Sequence, residues 1–559
     1  VGMKKILSIK WIIIFAAVLR LSFLGSAPIS LNWDEISMGY TAYSVGATGR
    51  DEWGELLPIF FRSYGEWKSA VYIYLLVPFI KVLGLNAWAV RLPSALAGIG
   101  AVYLIYLLGK RLYSEKVGLW SALLIAVTPW HLVLSRPAFE ANVSLTLLLL
   151  GIYGFVRAWQ THWQWQGLAL SLIGFGLAPH TYNSGKIVVP FLVLYLVVAT
   201  KFYKSIKNCA LYFGVLAVFA LPILLNMATG RAQYRYTQVG VTTDQSAVAK
   251  FYDSRKTFPL PELANKILFN QGTFFVYKVV DNWLSYFDPS FLFIEAGDHR
   301  QHHVPYRGVL YLVEGLFIVY GLKVLSSRAQ SRDLSSRFLH FGRNDTVSLK
   351  FLPFVIIALG FLPGALTRDS EHVLRTILAI PGFVLLAAVG VDYLQNNKNL
   401  GRLFTYSLYF LTFEIFTFLV MYFAWYPRLT ASDWQYGHKQ VAIYLQQHEA
   451  EYDKIIMTKW FGEPQLFLAF YNKWDPVWYQ QENKKLISYE GDGRLWLDQL
   501  PEYSFGKYTF RYLNWQSESR AKNTLYISKW DDFYQDSDYQ GTIKYPDGSI
   551  AFQLVRGDK

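Results

Sequence analysis

The stretch Ala70-Val71-Tyr72-Ile73-Tyr74-Leu75-Leu76-Val77-Pro78-Phe79-Ile80-Lys81-Val82-Leu83-Gly84-Leu85 decides the topology of this chain. It is apolar enough to be read as a membrane span, yet it carries Pro78 and Lys81. Both residues suit a helix lying at the membrane surface better than one facing lipid. Counted as a span, the stretch would move every later loop to the other side.

Working outward, about eleven further near-uncharged stretches approach the roughly 20 residues that a helix needs to cross a bilayer. They fall at 5–24, 89–108, 117–134, 141–157, 168–180, 187–200, 209–226, 306–322, 351–364, 374–391 and 403–424. Lys and Arg in short loops stay cytoplasmic. With residues 70–85 at the surface, the basic loops share one side: Lys110, Arg111 and Lys116; Arg157; Lys201, Lys204 and Lys207; Lys323, Arg328, Arg332, Arg337, Arg343 and Lys350; Lys398 and Arg402. This reading places the N-terminus in the cytoplasm and residues 425–559 outside a plasma membrane crossed many times. The start, with Lys4 and Lys5 before an apolar run, could be a cleaved signal peptide. Arg20 inside the run and the many later spans favour an uncleaved first helix.

Composition agrees. The 559 residues are 53% hydrophobic and only 17% charged, against about 25% charged in ordinary soluble chains. Abundant aromatic residues exclude disorder. The single cysteine, Cys209, excludes a disulfide framework and a cysteine-based zinc site. A net charge of +13 could signal nucleic acid, but its position in the presumed cytoplasmic loops makes it a topological signal, with no nucleic-acid partner expected.

The expected fold is thus a polytopic α-helical membrane domain, 1–424, with external loops at 25–88 and 227–305. A small external α/β domain, 425–559, follows. The 227–305 loop has a helical middle from Leu263 to Phe287. In the C-terminal domain, Lys454–Met457 and Leu525–Ile527 read as strands, and Thr542–Val555 as a hairpin turning at Asp547-Gly548. Its aromatics, such as Trp474, Trp478, Tyr479 and Trp496, suit either a core or stacking on sugar rings.

Polar residues collect at the external ends of the spans. Trp33-Asp34-Glu35 opens a helical segment that reaches Ala47, with Asp34 either a helix cap or a general base. Glu66 and Lys68 precede the surface stretch; Arg136, Glu140 and Asn142, then His180, Tyr182, Asn183 and Lys186, then Arg368, Asp369, Glu371, His372 and Arg375 lie in later external loops. Carboxylates mixed with cations suit a phosphate-bearing substrate, the cations holding phosphate and a carboxylate activating a hydroxyl. His299, His302 and His303 could hold a metal or contact phosphate. Neither a P-loop nor a Rossmann glycine signature is present.

Asp34-Glu35, then Gly65-Glu66-Trp67-Lys68, then Val90-Arg91-Leu92-Pro93-Ser94-Ala95 and Ser135-Arg136-Pro137-Ala138-Phe139-Glu140 form an ordered series. It resembles the GT-C membrane glycosyltransferases of family 39 type, related to protein O-mannosyltransferases and lipid A aminoarabinose transferases. Asp288-Pro289-Ser290-Phe291-Leu292-Phe293 and Asp433-Trp434-Gln435-Tyr436-Gly437 resemble a bacterial subgroup. Trp67, and the lack of proline after Lys68, depart from the family pattern.

The resemblance implies a GT-C fold and a sugar donor linked through one phosphate to a polyprenyl lipid. The acceptor would be a glycan, lipid or protein. It implies catalytic roles for Asp34, Glu35 and Glu140, with Asp34 the base and Glu35 its support. Lys68, Arg136, Lys186, Arg368, His372 and Arg375 would bind the donor phosphate. A divalent metal ion is the candidate cofactor, with Glu66 and His302 as ligands. Competing readings are a secondary transporter, an oligosaccharyltransferase or polymer ligase, and a noncatalytic receptor.

Overall fold

A computed structural model of the chain describes residues 8–228, 234–258, 260–330, 348–486, 496–535 and 537–557. Lys4, Lys5, Arg332, Arg337 and Arg343 lie outside them. The chain divides into two compact units. The first comprises residues up to Arg20, Ala95–Ser135 and Phe139–Phe418; the second comprises Leu21–Ser94, Arg136–Ala138 and Leu419–Lys559. The expected linear division falls at residue 424, whereas Leu21–Ser94 groups with the C-terminal residues.

The first unit is helical. Each expected span contains a helix, among them Ile9–Leu21, Glu140–Gln160, Ile206–Ala228, Leu352–Ala365 and Ile380–Asn396. Among the described residues of the whole chain, five helices are long and apolar enough to cross a membrane. Ile206–Ala228 makes the clearest case. Leu211, Val218, Leu221, Leu224 and Leu225 are each more than half exposed, a continuous apolar surface that water would not tolerate but lipid solvates.

Small residues let these helices approach closely. A Cβ on Gly174 would stand 2.3 Å from the backbone nitrogen of Gly151, so the helices Trp165–Leu177 and Glu140–Gln160 meet backbone to backbone. Arg20 is tolerated in its apolar helix because it is fully buried and bonded. It donates to the carbonyls of Ala16, Ile125 and Ala126 and lies 2.8 Å from His131 Nδ1. The loop expected to be helical over 263–287 holds the helices Glu262–Leu268 and Gln271–Ser285.

In the second unit, Trp33–Thr48 is a helix, and strands β1 (Phe60–Ser63) and β2 (Glu66–Ser69) form an antiparallel hairpin that leads into the helix Ala70–Leu83. At about 1.5 Å per residue this helix is roughly 21 Å long, short of the roughly 30 Å hydrocarbon core.

The C-terminal residues add β3 (Lys454–Thr458), β4 (Glu502–Phe505), β5 (Tyr508–Arg511), β6 (Thr524–Ser528), β7 (Tyr539–Lys544) and β8 (Ile550–Arg556). They form one sheet in the order β4-β5-β3-β6-β8-β7, with β3 parallel to both neighbours. Strands β3 and β6 fall on the short apolar runs and the β7–β8 hairpin on the Asp547-Gly548 turn signal, while β4 and β5 are not among the expected strands. Trp474, Tyr479, Phe505 and Tyr508 pack together with ring centroids about 5–6 Å apart, as core aromatics do.

This sheet domain packs on the helix Trp33–Thr48. Tyr40 donates to the Trp474 carbonyl, and Gln480 donates to Ser44 and Thr48. Gly39 accommodates the Phe470 ring, which would lie 2.7 Å from an added Cβ.

Candidate functional site

In the second unit, the candidate base sits on a carefully fastened helix start. Asn32, not Asp34, is the cap. Its side chain accepts from the Glu35 backbone N–H at 2.9 Å, while Glu35 Oε2 accepts from the Asn32 N–H at 3.1 Å, a reciprocal capping box. Asp34 is therefore not consumed in capping. The Trp33 N–H donates to Gln435 Oε1 at 2.8 Å, and Tyr64 donates to the Trp33 carbonyl. This explains the Asp433–Gly437 motif: it supplies the clamp on the turn that carries Asp34.

Asp34 keeps about two-fifths of its side chain exposed, and its Oδ1 lies 2.6 Å from Lys68 Nζ, which is almost buried. Strand β2 presents Lys68, and the period of two along a strand puts Glu66 on the same face. Lys68 also lies over the Tyr64 ring, 5.1 Å from its centroid.

Glu35 is wholly buried and fully engaged. Arg91 Nε and Nη2 reach its two oxygens at 2.8 and 3.0 Å, and the Ala138 N–H donates to Oε1 at 2.9 Å. Arg91 also donates to the carbonyls of Leu24, Pro28 and Ser30. Glu35 thus ties together the helix start, the 24–30 segment and the 136–138 segment. Both of its oxygens are engaged inside the fold, so it fastens the turn that carries Asp34.

Arg136 departs further from expectation. It is buried, donates to the carbonyls of Ser22 and Ala27, and lies over the rings of Tyr422 and Phe423. A guanidinium committed to backbone carbonyls inside the fold is not presented to a donor phosphate.

Sequence reasoning missed the carboxylates buried behind this site. Burial first, then the charge of Asp51, pushes the Glu52 carboxyl up to about 8, against the opposing pull of the Thr41 hydroxyl and the Lys68 ammonium. Asp51 is pushed up to about 6 and Glu463 to about 7, both chiefly by burial. No local pattern marks them, because their burial comes from distant segments.

In the first unit, the loop 367–375 gathers three expected cations. Arg375 donates to Thr367 Oγ1 at 2.7 Å and lies 3.6 Å from Asp369, which Arg368 also approaches at 3.5 Å. His372 adjoins His299 and His302, with ring centroids 4.5 and 5.0 Å away. His303 turns aside to Glu295 at 3.2 Å. Glu140 occupies the first turn of its helix, half-buried. Lys186 donates to Asn183 Oδ1 at 2.7 Å at the start of the helix Asn183–Ala199. Glu66, expected as a metal ligand with His302, is no part of this histidine group, which is the one cluster of potential metal ligands among the described residues.

The fold is that of the GT-C membrane glycosyltransferases. The chain superposes on ArnT from Cupriavidus metallidurans, solved bound to undecaprenyl phosphate, with a TM-score of 0.54 and 11% identity over 98% of this chain and 99% of that one. Residues 68–225 match the family described as dolichyl-phosphate-mannose-protein mannosyltransferase. Two Bacillus subtilis (strain 168) proteins are similar, each 29% identical: the putative mannosyltransferase YycA over 131 residues, 23% of this chain, and the putative mannosyltransferase YkcB over 149 residues, 26% of this chain. The match spans about a fifth of each relative, 19% and 21%. The chain thus resembles the family 39 type, as its motifs imply.

Proposed function

We propose that the protein moves a sugar from a polyprenyl-phosphate-linked donor to an acceptor hydroxyl at the external membrane face. The observation that carries this reading is the half-exposed Asp34 carboxylate, spared from capping and held 2.6 Å from Lys68. The GT-C fold supports it, as does the undecaprenyl phosphate bound by the ArnT neighbour. That fold also favours transfer chemistry over the transporter reading.

The reaction is a single displacement. Asp34 takes the acceptor hydroxyl proton, and the oxygen attacks the anomeric carbon. The new carbon–oxygen bond forms as the bond to the phosphate oxygen breaks, and the lipid phosphate leaves with the electron pair. Attack opposite the leaving group inverts the anomeric configuration. An ammonium has three donors; Lys68 gives one to Asp34, which orients the base, and its charge stabilises the departing phosphate. Arg368 and Arg375 serve as anion-binding cations of the first unit, with Lys186 in the same class, and Glu140 as its second acidic position.

The acceptor is a glycan, lipid or protein hydroxyl, and the donor sugar a hexose or pentose. Mass spectrometry of surface glycans and glycoproteins from cells with and without active enzyme tests the reading. Loss of one sugar from one pool is the expected result. Unchanged pools despite good expression would overturn it.

A further inference from the structure

The geometry points to a three-histidine divalent transition-metal site in the first unit, formed by His299, His302 and His372 and independent of Glu66.

Each of these imidazoles offers a nitrogen, and the three donor atoms lie within 4.8 Å of one another. Tetrahedral zinc with bonds of about 2.0–2.1 Å needs nitrogens on the order of 3.3 Å apart, so the three rings would draw closer around the ion. His302 is the strongest indication. It is more than nine-tenths buried, and its Nδ1 has no hydrogen-bond partner. A buried polar atom left so costs free energy unless something meets it.

The backbone is built to bring the three together. His302 N–H bonds the His299 carbonyl, a turn that sets both rings on one short segment. His372 is fixed from the other loop: its N–H donates to the Tyr286 hydroxyl and its carbonyl accepts from Thr376. The two loops touch at Gly297, whose φ is +81°; a Cβ there would stand 2.6 Å from the Glu371 carbonyl oxygen. Only glycine permits this approach.

Ligation takes the neutral imidazole. Arg375 is itself approached by Asp369, which offsets a cation beside the metal. Three histidines leave a fourth position open for water or an anionic oxygen.

The test uses the full chain purified in detergent, stripped with chelator and dialysed against zinc or cobalt. Stoichiometric zinc is expected in the wild type, in Glu66→Gln and in His303→Ala. It should be lost in His302→Ala and His372→Ala. Cobalt in the wild-type protein should give the visible bands of a low-coordinate nitrogen site, displaced by zinc; this needs no variant to fold. Absence of those bands, or metal retained in both histidine variants, would overturn the proposal. Because the readout is metal and not sugar transfer, its failure is distinct from failure of the transferase reading.

Discussion

Lys68 Nζ lies 2.6 Å from Asp34 Oδ1, with the lysine almost buried and the aspartate half-exposed. The two residues are 34 positions apart in sequence, and the capped helix start and the β1–β2 hairpin bring them together. An exposed ion pair contributes little to stability; this one, with its aspartate two-fifths exposed and left out of the helix cap, is better explained by chemistry. Asp34→Asn should lower transfer by about 10²–10⁴-fold, the usual worth of a general base, with little change in melting temperature. A melting temperature that falls in step with activity would show a structural role instead.

In the proposed displacement Lys68 serves both base and leaving group. Lys68→Met should therefore lower the rate more than it weakens donor binding. Single-turnover rates and donor binding, measured separately, check this. Equal losses in both would mean that the lysine only holds the donor.

Glu35 and Arg91 are a buried pair with all their bonds made inside the fold. Removing one partner leaves an uncompensated charge, at about 3–5 kcal/mol. Glu35→Ala and Arg91→Ala should each lower the thermal unfolding temperature sharply, and the double variant less than their sum. Additive losses in a double-mutant cycle would contradict the pairing.

Glu52 gives a pH dependence whose sign follows from its raised value of about 8. Unfolded, the carboxyl loses its proton near its ordinary value, while the folded protein keeps it to higher pH. Stability should therefore fall as pH rises between those two values and level off above about 8. Glu52→Gln should remove that part of the slope, as chemical unfolding across the range will show. An unchanged slope would exclude Glu52 as its source.

Sidedness follows from the positive-inside reading. In a Cys209→Ser background, a cysteine at Asp253 should react with impermeant maleimide added to intact cells, and one at Lys204 only after permeabilisation. The reverse pattern would place residues 70–85 across the membrane.

What could be read from sequence was whatever repeats or is local. Long apolar runs marked the helices of the expected spans, short apolar runs marked β3 and β6, the Asp547-Gly548 turn marked the β7–β8 hairpin, and the motif series singled out Asp34 and Lys68. Partner choice was not local. Arg136 read as a phosphate cation because nothing in its neighbourhood shows that it points at the carbonyls of Ser22 and Ala27. Asp34 read as a possible cap because Asn32 could not be distinguished from it by type alone. Gln435 and Trp474 reach the helix Trp33–Thr48 across about four hundred residues of chain, so the grouping of the C-terminal domain with the first loop was invisible. His372 stood among cations in sequence and stands among imidazoles in space.

The most direct measurement of the central claim reconstitutes the purified protein in liposomes with a radiolabelled polyprenyl-phosphate sugar and an acceptor. Released lipid phosphate and the anomeric configuration of the product are then followed for wild type and Asp34→Asn. The account predicts stoichiometric release and an inverted product in the wild type, both nearly abolished in the variant. A product of retained configuration, or undiminished transfer by Asp34→Asn, would contradict it.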